Sequence, residues 1–170
     1  IMHGGEITGN EISRHWQLPA VYLTGDGAYF ALNNGTISGN IRGYQTSRWY
    51  SYGPIGVVQG AQMVMNGGAI ENNINATDRS DGACAVRIYN GASTQCTSFT
   101  MNGGVIQGNT GPSGAVYVNS SNTKWPTAFI MTGGEISGNE NTSGNYGGGV
   151  RASGYFGELR LTGGVITGNT

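Results

Sequence analysis

The stretch Met101-Asn102-Gly103-Gly104-Val105-Ile106-Gln107-Gly108-Asn109 is one copy of a phrase that recurs along the whole chain. Five further copies begin at Met2, Leu32, Met65, Met131 and Leu161. The starting positions are separated by 30, 33, 36, 30 and 30 residues. Self-similarity at a nearly fixed period of this length is typical of repeat proteins, in which each copy forms one structural unit. The sequence therefore predicts a stack of about five and a half similar units.

Three short strands are predicted in each unit from the alternation of apolar residues. In Phe99-Thr100-Met101 and in Val116-Tyr117-Val118 the first and third residues are apolar, and Ile106 between these segments is followed by a polar residue. Period-two spacing places the apolar members on one face of a strand. We predict an all-β fold, a parallel β-helix (β-solenoid) of about five to six coils of ~30 residues, with three short strands in each coil.

Glycine and asparagine mark the bends of each coil. A sharp bend between strands needs a positive φ angle, which glycine adopts without steric cost and asparagine tolerates. The last position of the phrase is asparagine in all six copies: Asn10, Asn40, Asn73, Asn109, Asn139 and Asn169. Because stacked strands lie about 4.8 Å apart, we predict that these side-chain amides form a hydrogen-bonded ladder.

Other repeat architectures fit the pattern less well. Kelch propellers also contain Gly-Gly pairs, but each blade needs about 50 residues. Leucine-rich repeats require a leucine pattern that this chain lacks. An antiparallel β-fold stays open as the alternative, since Asn-Gly between alternating residues is also a hairpin signal.

The phrase M-x-G-G-x-I-x-G-N resembles the glycine-rich repeats of right-handed parallel β-helix (pectin-lyase-like) proteins, especially those of large bacterial surface and adhesin-like proteins. The likeness covers essentially the whole chain. It implies right-handed coiling and an extracellular or cell-surface location. We expect residues 1–170 to be a single β-helix segment of a longer chain, without its caps. Stalks, adhesins, tailspikes, lyases and hydrolases share this architecture, so the resemblance does not fix the activity.

Composition argues against two classes of partner. Eight Lys and Arg residues stand against nine Asp and Glu residues, which does not favour electrostatic binding of nucleic acid. No apolar run approaches the roughly 18 residues of a membrane span.

Two loops after the closing asparagine concentrate aromatic and basic residues. Since they leave the same corner of successive coils, we expect them to lie side by side. Aromatic rings with arginines suit sugar rings, so we predict a ligand-binding surface for a polysaccharide or a host or cell-surface protein. In the alternative interpretation, the aromatics form a small satellite core. The residues are Trp16, Arg42, Tyr44, Arg48, Trp49, Tyr50 and Tyr52.

A second candidate surface is the outward row of the third predicted strand. Its members are Tyr22, Arg87, Tyr117 and Arg151. Stacked along a flat sheet face, this row could bind an extended polymer. The alternative is that the row is ordinary solvated surface.

Features of an enzyme are weak in this sequence. Asp26, Asp78 and Asp81 are the only aspartates, and too few carboxylates converge to hold calcium. We predict no catalytic residue, no metal and no cofactor. The expected function is a non-enzymatic extracellular stalk or adhesin-like segment that can associate end to end. The alternatives are part of a polysaccharide lyase or hydrolase, and a tailspike-like receptor-binding segment.

The two cysteines leave two states open. Cys84 and Cys96 lie twelve residues apart and flank a predicted strand. In an exported protein they could form a disulfide, and the alternative is two free thiols.

Overall fold

The computed structural model describes residues 1–12, 19–43, 52–77 and 81–170. These residues form 21 β-strands, numbered in chain order, and no helix. They therefore contain no helix that could cross a membrane. Strands of neighbouring coils pair in parallel with one another, which produces four sheets along the stack. The predicted parallel β-solenoid is confirmed, with about five coils, and the antiparallel alternative is wrong.

Sheet I contains the isoleucine that follows the glycine pair. Its strands are β1 (Glu6–Thr8), β5 (Thr36–Ser38), β9 (Ala69–Glu71), β13 (Val105–Gln107), β17 (Glu135–Ser137) and β21 (Val165–Thr167). Sheet II follows the closing asparagine. Its strands are β2 (Glu11–Ile12), β6 (Ile41–Arg42), β10 (Ile74–Asn75), β14 (Thr110–Gly111) and β18 (Glu140–Asn141).

Sheet III is the third predicted strand position. Its members are β3 (Val21–Thr24), β7 (Ile55–Val58), β11 (Val86–Asn90), β15 (Val116–Ser120) and β19 (Val150–Gly154). Sheet IV precedes the glycine pair. Its members are β4 (Tyr29–Leu32), β8 (Gln62–Met65), β12 (Thr97–Met101), β16 (Thr127–Met131) and β20 (Gly157–Leu161). Each coil thus has four strands, where the sequence predicted three, because the two-residue strand of sheet II adds to the predicted set.

The core is a set of apolar columns that run along the stack. Ile37, Ile70, Ile106 and Ile136 of sheet I are fully buried and lie in register from coil to coil. In sheet IV, Phe99 and Phe129 stack with ring centroids 5.2 Å apart. The inward positions predicted from the alternation are therefore the ones that bury apolar surface, which is the main driving force for folding.

The glycine pair is required by two different geometries. At the second position, Gly104 has φ of 84°, a left-handed conformation that favours glycine. At the first position, a Cβ atom on Gly103 would lie 2.7 Å from the carbonyl oxygen of Asn66 in the preceding coil. The pair therefore permits both the sharp bend and the close approach of successive coils.

The predicted asparagine ladder is confirmed over all six copies. Each Nδ2 donates to the Oδ1 of the next asparagine, at 2.8 to 2.9 Å. The same Nδ2 of Asn109 also donates to the carbonyl oxygen of Ile70 in the preceding coil, at 3.0 Å. Its Oδ1 accepts from the backbone N–H of Asn73 as well. One side chain therefore joins three coils, and we call this row the inner ladder.

A second ladder runs on the outside of the stack, at the variable position before the glycine pair. Asn66 Nδ2 donates to Asn33 Oδ1 at 2.7 Å, and Asn102 Nδ2 donates to Asn66 Oδ1 at 2.8 Å. At its two ends, Asn33 contacts the ring of His3, and Thr132 Oγ1 donates to Asn102 Oδ1. This outer ladder was not predicted, since its members differ among the copies.

Candidate functional site

Five of the seven predicted loop residues lie outside the described residues: Trp16, Tyr44, Arg48, Trp49 and Tyr50. The other two, Arg42 and Tyr52, are described, and their exposed fractions are 1% and 6%. These two side chains are therefore packed into the corner between sheets II and III. At these two positions the predicted open surface is wrong, whereas ligand binding by the loops as a whole stays a prediction.

Arg42 is a buried arginine at the second position of β6. Burial, together with the positive charge of Arg87, lowers the pKa of its guanidinium to about 10, although Tyr52 and Asp81 act in the opposite direction. The guanidinium is therefore still protonated at neutral pH. The corner holds two arginines near one carboxylate, since Arg87 Nη1 lies 3.7 Å from Asp81 Oδ2.

The predicted outward row on sheet III exists as a continuous register. Tyr22 and Arg87 both align with Gly56, Arg87 aligns with Tyr117, and Tyr117 aligns with Arg151. Gly56 is the one member of the row without a side chain. The row therefore has a gap in its second coil.

Tyr52 fills this gap from the preceding loop. Its ring lies beside that of Tyr22, with centroids 5.4 Å apart, and the Arg87 guanidinium lies 5.4 Å from the Tyr52 ring centroid. A Cβ atom on Gly56 would lie 3.1 Å from the Tyr22 ring and 3.4 Å from Tyr52. The glycine thus leaves room for the ring of the nearby Tyr52. The two candidate surfaces, predicted separately, meet at Tyr52.

The stack continues along the axis through alternating arginine and tyrosine. Arg87 lies 5.7 Å from the Tyr117 ring centroid, and Arg151 lies 4.4 Å from the same ring. Arg151 also lies 3.4 Å from the ring centroid of Tyr146. Contacts of this kind contribute about 0.5 to 2 kcal/mol each, more when desolvated. We call the set Tyr22, Tyr52, Arg87, Tyr117, Arg151 and Tyr146 the Tyr–Arg stack.

Burial decides what this stack can do. Arg87 and Tyr117 are exposed by only 7% and 1%, and the Tyr117 hydroxyl is hydrogen-bonded by Asn119 Nδ2 at 2.7 Å. The expectation of a flat open face, or of a solvated one, is therefore wrong at these two positions. Arg87 contacts Tyr52 and Asp81, and the Tyr117 ring contacts both Arg87 and Arg151, so these contacts stabilise the fold. Polymer binding at the more exposed members, Tyr22 and Arg151, stays a prediction.

The two cysteines are free thiols in the structure, so the predicted disulfide alternative is not the one adopted. Cys84 precedes β11 and Cys96 follows it, at opposite ends of a five-residue strand. A strand of that length spans ~16 Å, whereas a disulfide requires Cα atoms about 5.5 to 6 Å apart. Cys84 is fully buried, and burial raises the pKa of its thiol to about 12.

Among the described residues, no three His, Cys, Asp or Glu side chains lie together in a way that could hold a metal ion. Asp81 contacts Arg87 as described above, and Asp78 lies outside the described residues.

The sequence interpretation missed a groove at the corner between sheets III and IV. Loops 91–94 and 121–125 of successive coils line it, and its volume is about 340 Å³. Trp125 lies at its edge with 42% of its surface exposed. The third tryptophan of the chain was the available signal, because it stands in a polar loop outside the apolar alternation. We call this feature the Trp125 groove.

Comparisons of this chain with protein families, with curated proteins and with solved structures found no match.

Proposed function

We propose that this chain is an extracellular β-solenoid segment that acts as a stalk or adhesin-like scaffold and displays its corner loops. The observation that carries the proposal is the inner ladder. It uses an asparagine that is present in all six copies to join each coil to its neighbours. The repeat thus specifies a rod whose length follows the number of coils.

The loops that leave the rod are its variable part. The repeat spacings of 30, 33 and 36 residues all preserve the same register in sheet I. Extra residues are therefore accommodated at the corners and leave the core columns aligned. Binding and recognition are often located in loops held by a rigid scaffold, which supports display as the function.

We further propose that the solenoid is right-handed and that the chain is a pectin-lyase-like protein of the bacterial surface. The resemblance of the repeat phrase supports this proposal. An extracellular location predicts that antibodies against this chain label intact source cells or precipitate the protein from culture medium. Labelling that requires permeabilised cells would contradict the location. Trimers in solution would instead favour the tailspike-like alternative.

The non-enzymatic part of the proposal is tested with polysaccharides. The purified chain is incubated with plant, microbial and host polysaccharides, and the products are scored for shortened chains and new reducing or unsaturated ends. We expect no cleavage. Shortened chains, absent from a heat-denatured control, would overturn the proposal in favour of a polysaccharide lyase or hydrolase.

Another copy of the chain is a proposed partner through the ends of the stack. In the coil of β19 to β21, Leu161 and Ile166 belong to the core columns and are exposed. The unpaired edges of β19, β20 and β21 offer backbone groups to another strand. We expect sedimentation coefficients to rise with protein concentration. A monomer at all concentrations would contradict end-to-end association.

A further inference from the structure

We propose that the Trp125 groove binds a saccharide, with the indole of Trp125 as the stacking platform for a sugar ring. This site lies at the corner between sheets III and IV, where the strands of sheet III end. The predicted aromatic loops come before sheet III, where its strands begin. The proposal goes beyond the stalk function and does not depend on it, because a rod could carry the groove or lack it.

The walls of the groove are held in place before any ligand arrives. Two buried asparagines, Asn90 and Asn122, organise the loops. Asn90 Oδ1 accepts the backbone N–H of Ser93 at 3.2 Å, and Asn122 Nδ2 donates to the carbonyl oxygen of Ser93 at 2.9 Å. The second contact joins loops of neighbouring coils. A fixed site lowers the entropic cost of binding, which favours weakly interacting ligands such as sugars.

The position of Trp125 follows from the same framework. Asn122 Oδ1 accepts the backbone N–H groups of Lys124 and Trp125 at 2.8 and 2.9 Å. The turn is therefore fixed by a buried side chain, while the indole itself stays exposed at the rim. A large aromatic ring on an ordered turn beside a groove offers a flat apolar face at low entropic cost.

Aromatic residues continue beside the groove in the next coil. Tyr155 and Phe156 connect β19 to β20 at the same corner, and the backbone N–H of Thr127 donates to the carbonyl oxygen of Phe156 at 2.8 Å. Tyr155 is 77% exposed, and Phe156 is also exposed. A second cavity of about 390 Å³ lies between Pro126 and these two residues. The aromatic surface therefore extends past one ring, which suits a chain of sugars better than a single small molecule.

The polar groups of the groove match the hydroxyl rim of a sugar. Ser121 and Thr94 present exposed hydroxyl groups, and Lys124 contributes an ammonium group. Ser121 Oγ is hydrogen-bonded to the Tyr89 hydroxyl at 2.9 Å, and Thr94 Oγ1 donates to Asp26 Oδ2 at 2.8 Å. Each hydroxyl oxygen has two lone pairs and one proton, so both can still bond a ligand. One apolar face with several short polar groups is the arrangement that a sugar ring requires.

Two other ligand classes fit the groove less well. A nucleic acid needs several basic groups along its phosphates, and among the described residues Lys124 is the only basic one that lines the groove. An extended peptide commonly adds to a free strand edge, but β15 beside the groove is paired on both sides, with β11 and β19. Saccharide stacking requires neither feature.

The three tryptophans of the chain make the test specific to the site. Trp16, Trp49 and Trp125 give three indole N–H signals in a ¹⁵N-correlated NMR spectrum, and the Trp125→Phe variant identifies one of them. The folded chain is titrated with oligosaccharides prepared from xyloglucan, mixed-linkage β-glucan, galactomannan and polygalacturonate. We expect at least one to shift the Trp125 signal while the other two indole signals stay in place.

Affinity electrophoresis with the parent polysaccharides then measures the effect of each side chain. We expect Trp125→Ala to weaken retention about tenfold and Trp125→Phe to retain part of it, since the ring face is what binds. Tyr29→Ala is the matched control, because it removes an exposed aromatic of the first coil that does not line the groove. Retention that Trp125→Ala leaves unchanged, shifts confined to Trp16 and Trp49, or no response to any of the four saccharides would each overturn the proposal.

Discussion

The inner and outer ladders contain the same chemistry in two different environments. Both rows join successive coils through side-chain amides with hydrogen bonds of 2.7 to 2.9 Å. Asn109 of the inner ladder is fully buried, whereas Asn66 of the outer ladder is exposed. The inner position is asparagine in every copy, while the outer position is histidine, asparagine or threonine.

Water explains the difference between the two rows. An exposed amide that loses its partner bonds to water instead, so the net loss is small. A buried amide has no such replacement, and each group left unsatisfied costs about 1 to 3 kcal/mol. Hydrogen-bond geometry alone therefore does not reveal which row stabilises the fold. The burial of each row shows that the inner ladder contributes more.

The largest expected effect is from Asn109→Ala. The substitution removes acceptors from the backbone N–H and Nδ2 of Asn73, and a donor from the carbonyl oxygen of Ile70. We expect the free energy of unfolding to fall by about 3 kcal/mol, as measured by urea denaturation followed by circular dichroism. A loss below about 1 kcal/mol would show that water enters the corner, and the contrast between the ladders would fail.

The two cysteines also differ in burial, since Cys84 is buried and Cys96 is half-buried. Because burial raises the pKa of Cys84 from 9.0 to about 12, the folded state keeps a thiol proton that the unfolded chain loses. The stabilisation is complete below pH 9 and is lost as the pH rises towards 12. Near pH 10.5 we expect this group alone to lower the free energy of unfolding by about 2 kcal/mol.

Matched variants isolate this contribution from the other groups that titrate in alkali. Cys84→Ala should flatten the decline of stability between pH 8 and 10.5, while Cys96→Ala at the half-buried position should keep it. Equal pH slopes for the wild type and Cys84→Ala would show that the thiol is not desolvated in solution.

The smallest expected effect is from Asn66→Ala in the outer ladder. Its neighbours Asn33 and Asn102 are free to bond water when the side chain is removed. We expect a loss of at most about 0.5 kcal/mol by the same urea titration. Asn66→Thr should be close to neutral, because Thr132 already occupies the equivalent position in another coil. A loss comparable to that of Asn109→Ala would break the distinction between the ladders.

The sequence predicted the features that depend on identical residues at a fixed period. The isoleucine column and the inner ladder are of this kind, since Ile106 and Asn109 have counterparts in every copy. Sheet II was missed because its strands are two residues long and form through backbone bonds. Its inward positions share no chemical type, as Arg42 and Gly111 illustrate.

Contacts that a loop residue makes with neighbouring coils were beyond the reach of periodicity. The ring of Tyr52 occupies the place left by Gly56, and nothing in the local sequence specifies which loop residue will return to the sheet. The same limit applied to Trp125, whose turn depends on the buried Asn122. Such features require the packed structure, because the partners belong to no repeated pattern.

The register of sheet I carries a consequence for how such a chain can change over generations. Since Ile70 and Ile106 stay aligned across a 36-residue coil, as Ile106 and Ile136 do across a 30-residue one, a coil behaves as an interchangeable module. Recombination between two copies of the phrase would delete or duplicate a whole coil and leave the inner ladder continuous. Each such event would change the reach of the rod by about 4.8 Å, so its length is open to selection in small steps.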